Sequence, residues 1–311
     1  MSDAMNWKSI FKRYEYNIKV YAVIYVISFF AVLYVLFSLT SLLHTEVWVK
    51  GMVKSGINYD AFRDLKITED VLQTAEDRVT HFIKKHPSLK DYSYINTIGY
   101  LTFSMLAKNY DPMGNDLADE ETFFRGIGKL AGTKSFQELY SCYREILSDI
   151  KYFPIPEMKT QEAYVTFDNT WYELRRYGGN RRHEGTDLMA SNNLRGYFPV
   201  VSVTDGVIEN MGWLEQGGYR IGIRSDTGGY FYYAHLYSYA PELKQGDKVI
   251  AGQLLGFMGD SGYGTEGTIG KFDVHLHLGI YVKTTIGEIS VNPYWILKML
   301  ENHKTCYNLI N

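Results

Sequence analysis

The sequence predicts an α+β chain with an N-terminal transmembrane helix, a small helical domain and a C-terminal antiparallel all-β domain. Three observations predict it. Val20 to Leu43 runs 24 residues without a charge. From Thr68 to Ile150 apolar residues recur at helical spacing. From Gly178 onward lie 21 of the 28 glycines, and short alternating apolar runs replace the helical ones.

Lys8, Lys12, Arg13 and Lys19 make residues 1–19 a short basic tail. The uncharged run 20–43 would span roughly 36 Å as a helix, enough for a hydrocarbon core of about 30 Å. Both a buried core helix and a cleaved signal peptide fit less well. The run is apolar on every face, exceeds the ~7–15 residues of a signal's apolar region, and is followed by no A-x-A site. Three basic residues (Lys50, Lys54, Arg63) follow against four before it, a small bias that expects the tail in the cytoplasm and the rest outside.

Residues 44–150 are expected to form the helical domain. Thr68 is a candidate N-cap for a helix with Leu72, Ala75, Val79, Phe82 and Ile83 on one face, stopped at Pro87. A second helix is expected over Tyr94 to Lys108. A third is expected to open on a Ser135–Glu138 capping box, with Phe136, Leu139, Tyr143, Leu147 and Ile150 on its apolar face. Asp111, Asp116, Asp119, Glu120 and Glu121 lack EF-hand spacing and read as a solvated acidic face. Residues 151–160, with Pro154 and Pro156, read as an extended linker.

Strands are expected at Val200–Val203, Tyr219–Ile223, Tyr230–His235, Leu254–Phe257 and Val274–Tyr281. Turn signals such as Thr204-Asp205-Gly206 and Gln245-Gly246-Asp247 separate them. Asn292-Pro293 ends the domain, Tyr294 to Leu300 closes it with a short helix, and 304–311 is a tail. A net charge of −3 with no long basic run makes nucleic acid an unattractive partner. Cys142 and Cys306 form neither a disulfide framework nor a metal spacing and are expected to be free thiols.

The chemistry concentrates in two stretches, Arg182-His183-Glu184-Gly185-Thr186-Asp187 and Val274-His275-Leu276-His277-Leu278. On a strand, side chains at i and i+2 share a face, so His275 and His277 project together while the leucines enter the core. Imidazole and carboxylate are ligand types that zinc takes, and a catalytic zinc needs three protein ligands and one open position.

Residues from about 160 to 300 resemble the lysostaphin-like zinc endopeptidases, which cleave cross-bridges or stem peptides of bacterial peptidoglycan. The resemblance rests on His183 with Asp187, then Tyr232-Tyr233-Ala234-His235-Leu236, then His275 with His277, all in the family's order. Thr-Asp-Gly-Val at 204–207, the stretch from Gln245 to Gln253, and Gly256-Phe257-Met258-Gly259 also fit. It implies a duplicated hybrid-motif, barrel-sandwich type of fold over residues 161–303. It implies that His183, Asp187 and His277 bind Zn2+. It further implies that His275 is the general base and later the acid for the leaving amine, and that His235 orients water or stabilises an oxyanion.

One departure is the long glycine-rich approach to the histidine pair, Gly259 to Gly270 and then Lys271-Phe272-Asp273, expected to wall a groove. The helical region lies outside the resemblance. The expected function is therefore a membrane-anchored peptidase acting on peptidoglycan outside the cytoplasmic membrane. Its rivals are an inactive scaffold that binds wall or a partner protein, and an amidase with similar ligands. All five motif residues are intact, which favours catalysis.

Overall fold

The structure, a computed structural model, describes residues 7–112, 117–158, 163–176 and 179–307. Asp116 of the acidic face and the outermost parts of both tails lie outside the described residues, as do residues 159–160 of the expected linker.

Helix α1 (Trp7–Ser55) is continuous, and its stretch Tyr16–Thr40 is long and apolar enough to cross a hydrocarbon core. Phe29, Phe30 and Phe37 are each more than 60% exposed, an apolar surface that none of the described residues covers. Residues up to Lys54 form one compact unit, and the chain from Ser55 onward forms another.

The second unit begins with five helices: α2 (Tyr59–Arg63), α3 (Glu69–Lys85), α4 (Thr97–Ala107), α5 (Glu120–Leu130) and α6 (Lys134–Leu147). Thr68 caps α3 as expected, its side chain accepting from the Val71 amide. The buried stripe is Val71, Ala75, Val79 and Phe82. Helix α6 differs in its start. Thr133, not Ser135, is the N-cap, accepting from the Phe136 amide, and Glu138 reaches instead to the Tyr59 hydroxyl and the Thr285 amide. The acidic stretch resolves into partners. Asp119 caps α5, Glu120 pairs with His81 and Lys85, and Asp111 pairs with Lys66.

The strands are β1 (Glu157–Met158), β2 (Val165–Thr166), β3 (Leu174–Arg175), β4 (Arg181–Arg182), β5 (Thr186–Ala190), β6 (Pro199–Val201) and β7 (Gly206–Leu214). They continue as β8 (Gly218–Ser225), β9 (Tyr230–Tyr239), β10 (Lys248–Val249), β11 (Leu254–Met258), β12 (His275–Thr284), β13 (Gly287–Val291) and β14 (Cys306–Tyr307), with α7 (Tyr294–Leu300) before β14. The main sheet is antiparallel, in the order β10-β7-β8-β9-β12-β5-β2, with β11 joining β6 to β9 and β13 edging β12. This bears out the mixed helix-and-sheet class with an antiparallel C-terminal domain.

Strand β12 shows why the sheet holds its place. Leu276, Leu278, Ile280 and Val282 are fully buried on one face, Leu276 opposite Leu188 and Ile280 opposite Phe231, both also fully buried. Helix α6 packs against β12, and Phe62 of α2 meets Tyr143 of α6 edge to face. The helices and the sheet thus belong to one unit. The proline segment is part of it as well. Phe153 to Pro156 are buried, the Pro154 carbonyl accepts from Val201, and β1 pairs in parallel with β14 in the expected C-terminal tail. The run bends at Tyr152, Pro154 and Ile155 and is packed into the unit rather than left as an extended linker. Cys142 is buried, Cys306 is exposed, and both are free.

Candidate metal centre and catalytic groove

Strand register brings the motifs together. His277 of β12 lies opposite Asp187 of β5 on one side and Ala234 of β9 on the other. Directly opposed residues point to the same face, so the polar face of β12 looks across Asp187. His183 enters from the turn before β5. Gly185 makes room for His277, because a Cβ there would overlap its imidazole. His183 Nε2 lies 3.1 Å from Asp187 Oδ1 and 3.1 Å from His277 Nδ1, and His277 Nδ1 lies 2.9 Å from Asp187 Oδ1. Three donor atoms on three separate segments converge, a group able to hold a metal ion.

The surroundings fix their charge states. Burial works to raise the Asp187 pKa, but hydrogen bonds from His183 and His277 outweigh it and hold the group far below the usual carboxylate range. Burial pushes His277 down, against the pull of Asp187. The site therefore presents Asp187 as a carboxylate and His277 as a neutral imidazole, forms that bind a cation. His183 Nδ1 lies 3.1 Å from the Thr170 carbonyl and 3.0 Å from Arg175 Nη2, which holds the ring with Nε2 facing the site. Arg175 Nη2 donates to Asp187 Oδ2 at 3.0 Å and orients the carboxylate from behind.

The remaining two motif histidines stand beside this group. The His235 and His275 rings are 4.7 Å apart. Each donates from Nδ1 to a backbone carbonyl, His235 to Ser261 at 2.8 Å and His275 to Asp273 at 2.7 Å. Both keep an Nε2 lone pair. His275 Nε2 is 3.7 Å from Asp187 Oδ1. Burial, and then the charges of His275 and His277, lower the His235 pKa well below its ordinary value.

Regular alternation along β9 would send His235 into the core with Tyr233, opposite to Ala234. Instead His235 has φ 63°, in the left-handed region, and strand pairing slips on both sides of it. Such a bulge re-aims a side chain. His235 turns into the groove while Leu236 returns to the core, fully buried. A left-handed conformation costs a histidine about 1–2 kcal/mol, and strain of this kind concentrates at functional sites.

All five motif residues line one open groove of about 1170 Å³. The glycine-rich stretch supplies one wall. Tyr263, Lys271 and Phe272 line it, and Phe272 packs edgewise on His235. Buried Asp260 ties this wall down, accepting from Arg195 Nε at 2.6 Å and from the Gly270 amide. The sequence reading missed Thr170, Arg175, Arg181 and Arg220, which also meet the site or its groove. No spacing rule marks an arginine on a short strand, so the sequence carried no signal for them.

The profile of peptidase family M23 matches residues 181–293. A crystal structure from Ruminococcus gnavus, assigned as a glycyl-glycine endopeptidase lytM, is 41% identical, with a TM-score of 0.65 over 80% of this chain and 93% of that one. The chain belongs to peptidase family M23. The L-Ala–D-Glu endopeptidase of Bacillus subtilis is 41% identical over 54% of this chain and 49% of its own length. The glycyl-glycine endopeptidase ALE-1 of Staphylococcus capitis is 36% identical over 41% and 32%. The chain thus spans half or less of these curated relatives. The M23 match contains His183, Asp187, His235, His275 and His277, whereas Arg63, Thr170 and Arg175 precede it. Coverage of 80% takes the likeness to the R. gnavus structure beyond the β-domain and into the helical region, where the sequence resemblance stopped.

Proposed function

We propose that the chain is a zinc-dependent endopeptidase that hydrolyses peptide bonds in the cross-bridges or stem peptides of bacterial peptidoglycan. The convergence of His183 Nε2, Asp187 Oδ1 and His277 Nδ1 carries this reading. Tetrahedral bonds of about 2.0–2.1 Å place ligand atoms about 3.3 Å apart. Separations of 2.9–3.1 Å among two imidazoles and a carboxylate fit that set. When bound, zinc supplies a Lewis acid for the scissile carbonyl and lowers the pKa of a water to about 7.

The two free histidines then divide the proton work. His275 Nε2 takes the proton of the attacking water and passes it to the amine as the C–N bond breaks. The Asp187 carboxylate nearby favours the imidazolium formed in between. His235 is held neutral by burial, and its Nδ1 proton is committed to Ser261. Its Nε2 is an acceptor, which suits orienting the water rather than donating to an oxyanion. The names of the relatives supply the bond class, a peptide bond, which we carry to this chain. We further propose that residues 20–43 anchor the protein in the bacterial membrane, with the catalytic unit outside.

Mass analysis of fragments released from purified peptidoglycan tests the reaction. New peptide amino termini are expected. A cut between sugar and peptide, or no cut by the zinc-loaded chain, would end this reading.

A further inference from the structure

The half-buried guanidinium groups of the groove differ in one respect. Arg175 holds Asp187, and Arg181 donates to the Tyr263 hydroxyl and lies over that ring. Each still leaves its Nε buried without a partner, whereas Arg220 of β8, which lines the same groove, leaves both Nε and Nη1 so among the described residues. No carboxylate among the described residues pairs with it. Two groove acids are committed elsewhere, Glu184 to Arg63 and Glu288 to Arg224. Leaving guanidinium N–H groups buried and unpaired is costly, and a guanidinium cannot shed its charge to escape. A planar carboxylate accepting parallel N–H bonds from Nη1 and Nη2 removes that cost at Nη1. The tyrosines nearest in charge, Tyr230 and Tyr232, cannot do so as anions. Burial pushes Tyr232 up to about 12 and Tyr230 also above its ordinary value.

The position of Arg220 fits a role in substrate choice. Strand β9 alone separates β8 from β12, which carries the histidines. Two strand spacings are about 10 Å. An extended peptide rises about 3.3 Å per residue, so a residue near the cut bond lies within reach of the side chain.

We propose that Arg220 is the anchor of a carboxylate-binding subsite, and that the groove selects peptides with a free acidic side chain or α-carboxylate within about three residues of the bond cut. This rests on the endopeptidase reading and narrows it, since a bridge of glycine alone offers no such group inside its chain.

The test uses the full-length, zinc-loaded chain in detergent and two synthetic stem peptides that differ only in glutamate against glutamine. The wild-type kcat/KM is expected to favour the glutamate peptide by about tenfold or more, mostly through KM. In Arg220→Gln that ratio is expected to fall to about one to two, and Arg220→Lys to lie between, because an ammonium keeps the charge but loses the fork. A wild-type ratio near one would overturn the proposal without recourse to any variant. So would an Arg220→Gln variant that slows both peptides equally. If the wild-type chain cleaves neither peptide, the endopeptidase reading fails instead. Calorimetric titration of the same peptides then decides the subsite alone, with about tenfold tighter binding of glutamate expected and equal affinities overturning it.

Discussion

Asp187 sets the charge of the site, and three cations or potential cations share it. His183 and His277 meet Oδ1, and Arg175 meets Oδ2. Removing it leaves imidazoles with no carboxylate between them. The purified chain is therefore expected to carry about one zinc. His183→Ala, Asp187→Ala and His277→Ala are each expected to lose most of it, read by elemental analysis after dialysis. Full occupancy in all three would refute the assignment. His275 makes no such convergence, so His275→Ala is expected to retain metal and to lose about 10²-fold or more in turnover. An emptied site in that variant would exchange the roles of His275 and His277. The alternation of histidine and leucine placed His275 and His277 on one face, because side chains at a period of two share it, but their division into ligand and base came only with the family resemblance. His235 was legible only through the family pattern. Its outward turn depends on a bulge that no alternation predicts.

At the scale of elements, a five-residue helix does most to tie the helical region to the groove. Arg63 at the end of α2 donates from Nε to the Ser290 carbonyl and from Nη2 to Ser290 Oγ and Glu184 Oε1, at 2.8, 2.7 and 2.8 Å. Its guanidinium also lies 4.9 Å from the centre of the Tyr172 ring, which lines the groove. Glu184 immediately precedes Gly185, so this clamp acts on the turn that places His183 and Asp187. Arg63→Ala is expected to cost about 1–3 kcal/mol of stability and to lower turnover several-fold while zinc stays bound. Melting temperature, metal content and kcat on one preparation would show whether these separate. Unchanged kcat with a lowered melting temperature would make the clamp purely structural. Helix α2 escaped the sequence reading because five residues cannot display a helical period. Strand β7 escaped for another reason: Gly206–Leu214 is exposed or half-buried along most of its length, so its apolar alternation is weak. Helix α5 was hidden by its own charges, since the acids that read as a solvated face are its N-cap and first turn.

The whole molecule joins an apolar helix to a unit in which helices and sheet share a core. The long uncharged run was legible because nothing but length and composition defines it. The role of residues 151–160 was not, since two prolines argue against a helix but do not say whether the run will be packed into the unit. Because Phe153 to Pro156 are buried in the catalytic unit, they do not act as an exposed spacer between the helical region and the site. The boundary between the two units falls instead at the end of α1, between Lys54 and Ser55. The proposed orientation rests on the proposed substrate as much as on charge. Peptidoglycan lies outside the cytoplasmic membrane, and four basic residues precede the apolar run. In intact cells stripped of wall, added protease is expected to digest the chain after residue 55, while a tag placed before Lys8 stays protected. The mature protein is expected to keep its original N-terminus, since residues 20–43 lack a small-residue cleavage site. A trimmed N-terminus would make the apolar run a signal sequence and leave the catalytic unit unanchored. Protection of that unit in sealed cells would place the groove in the cytoplasm, away from peptidoglycan, and the substrate assignment would fall with the topology.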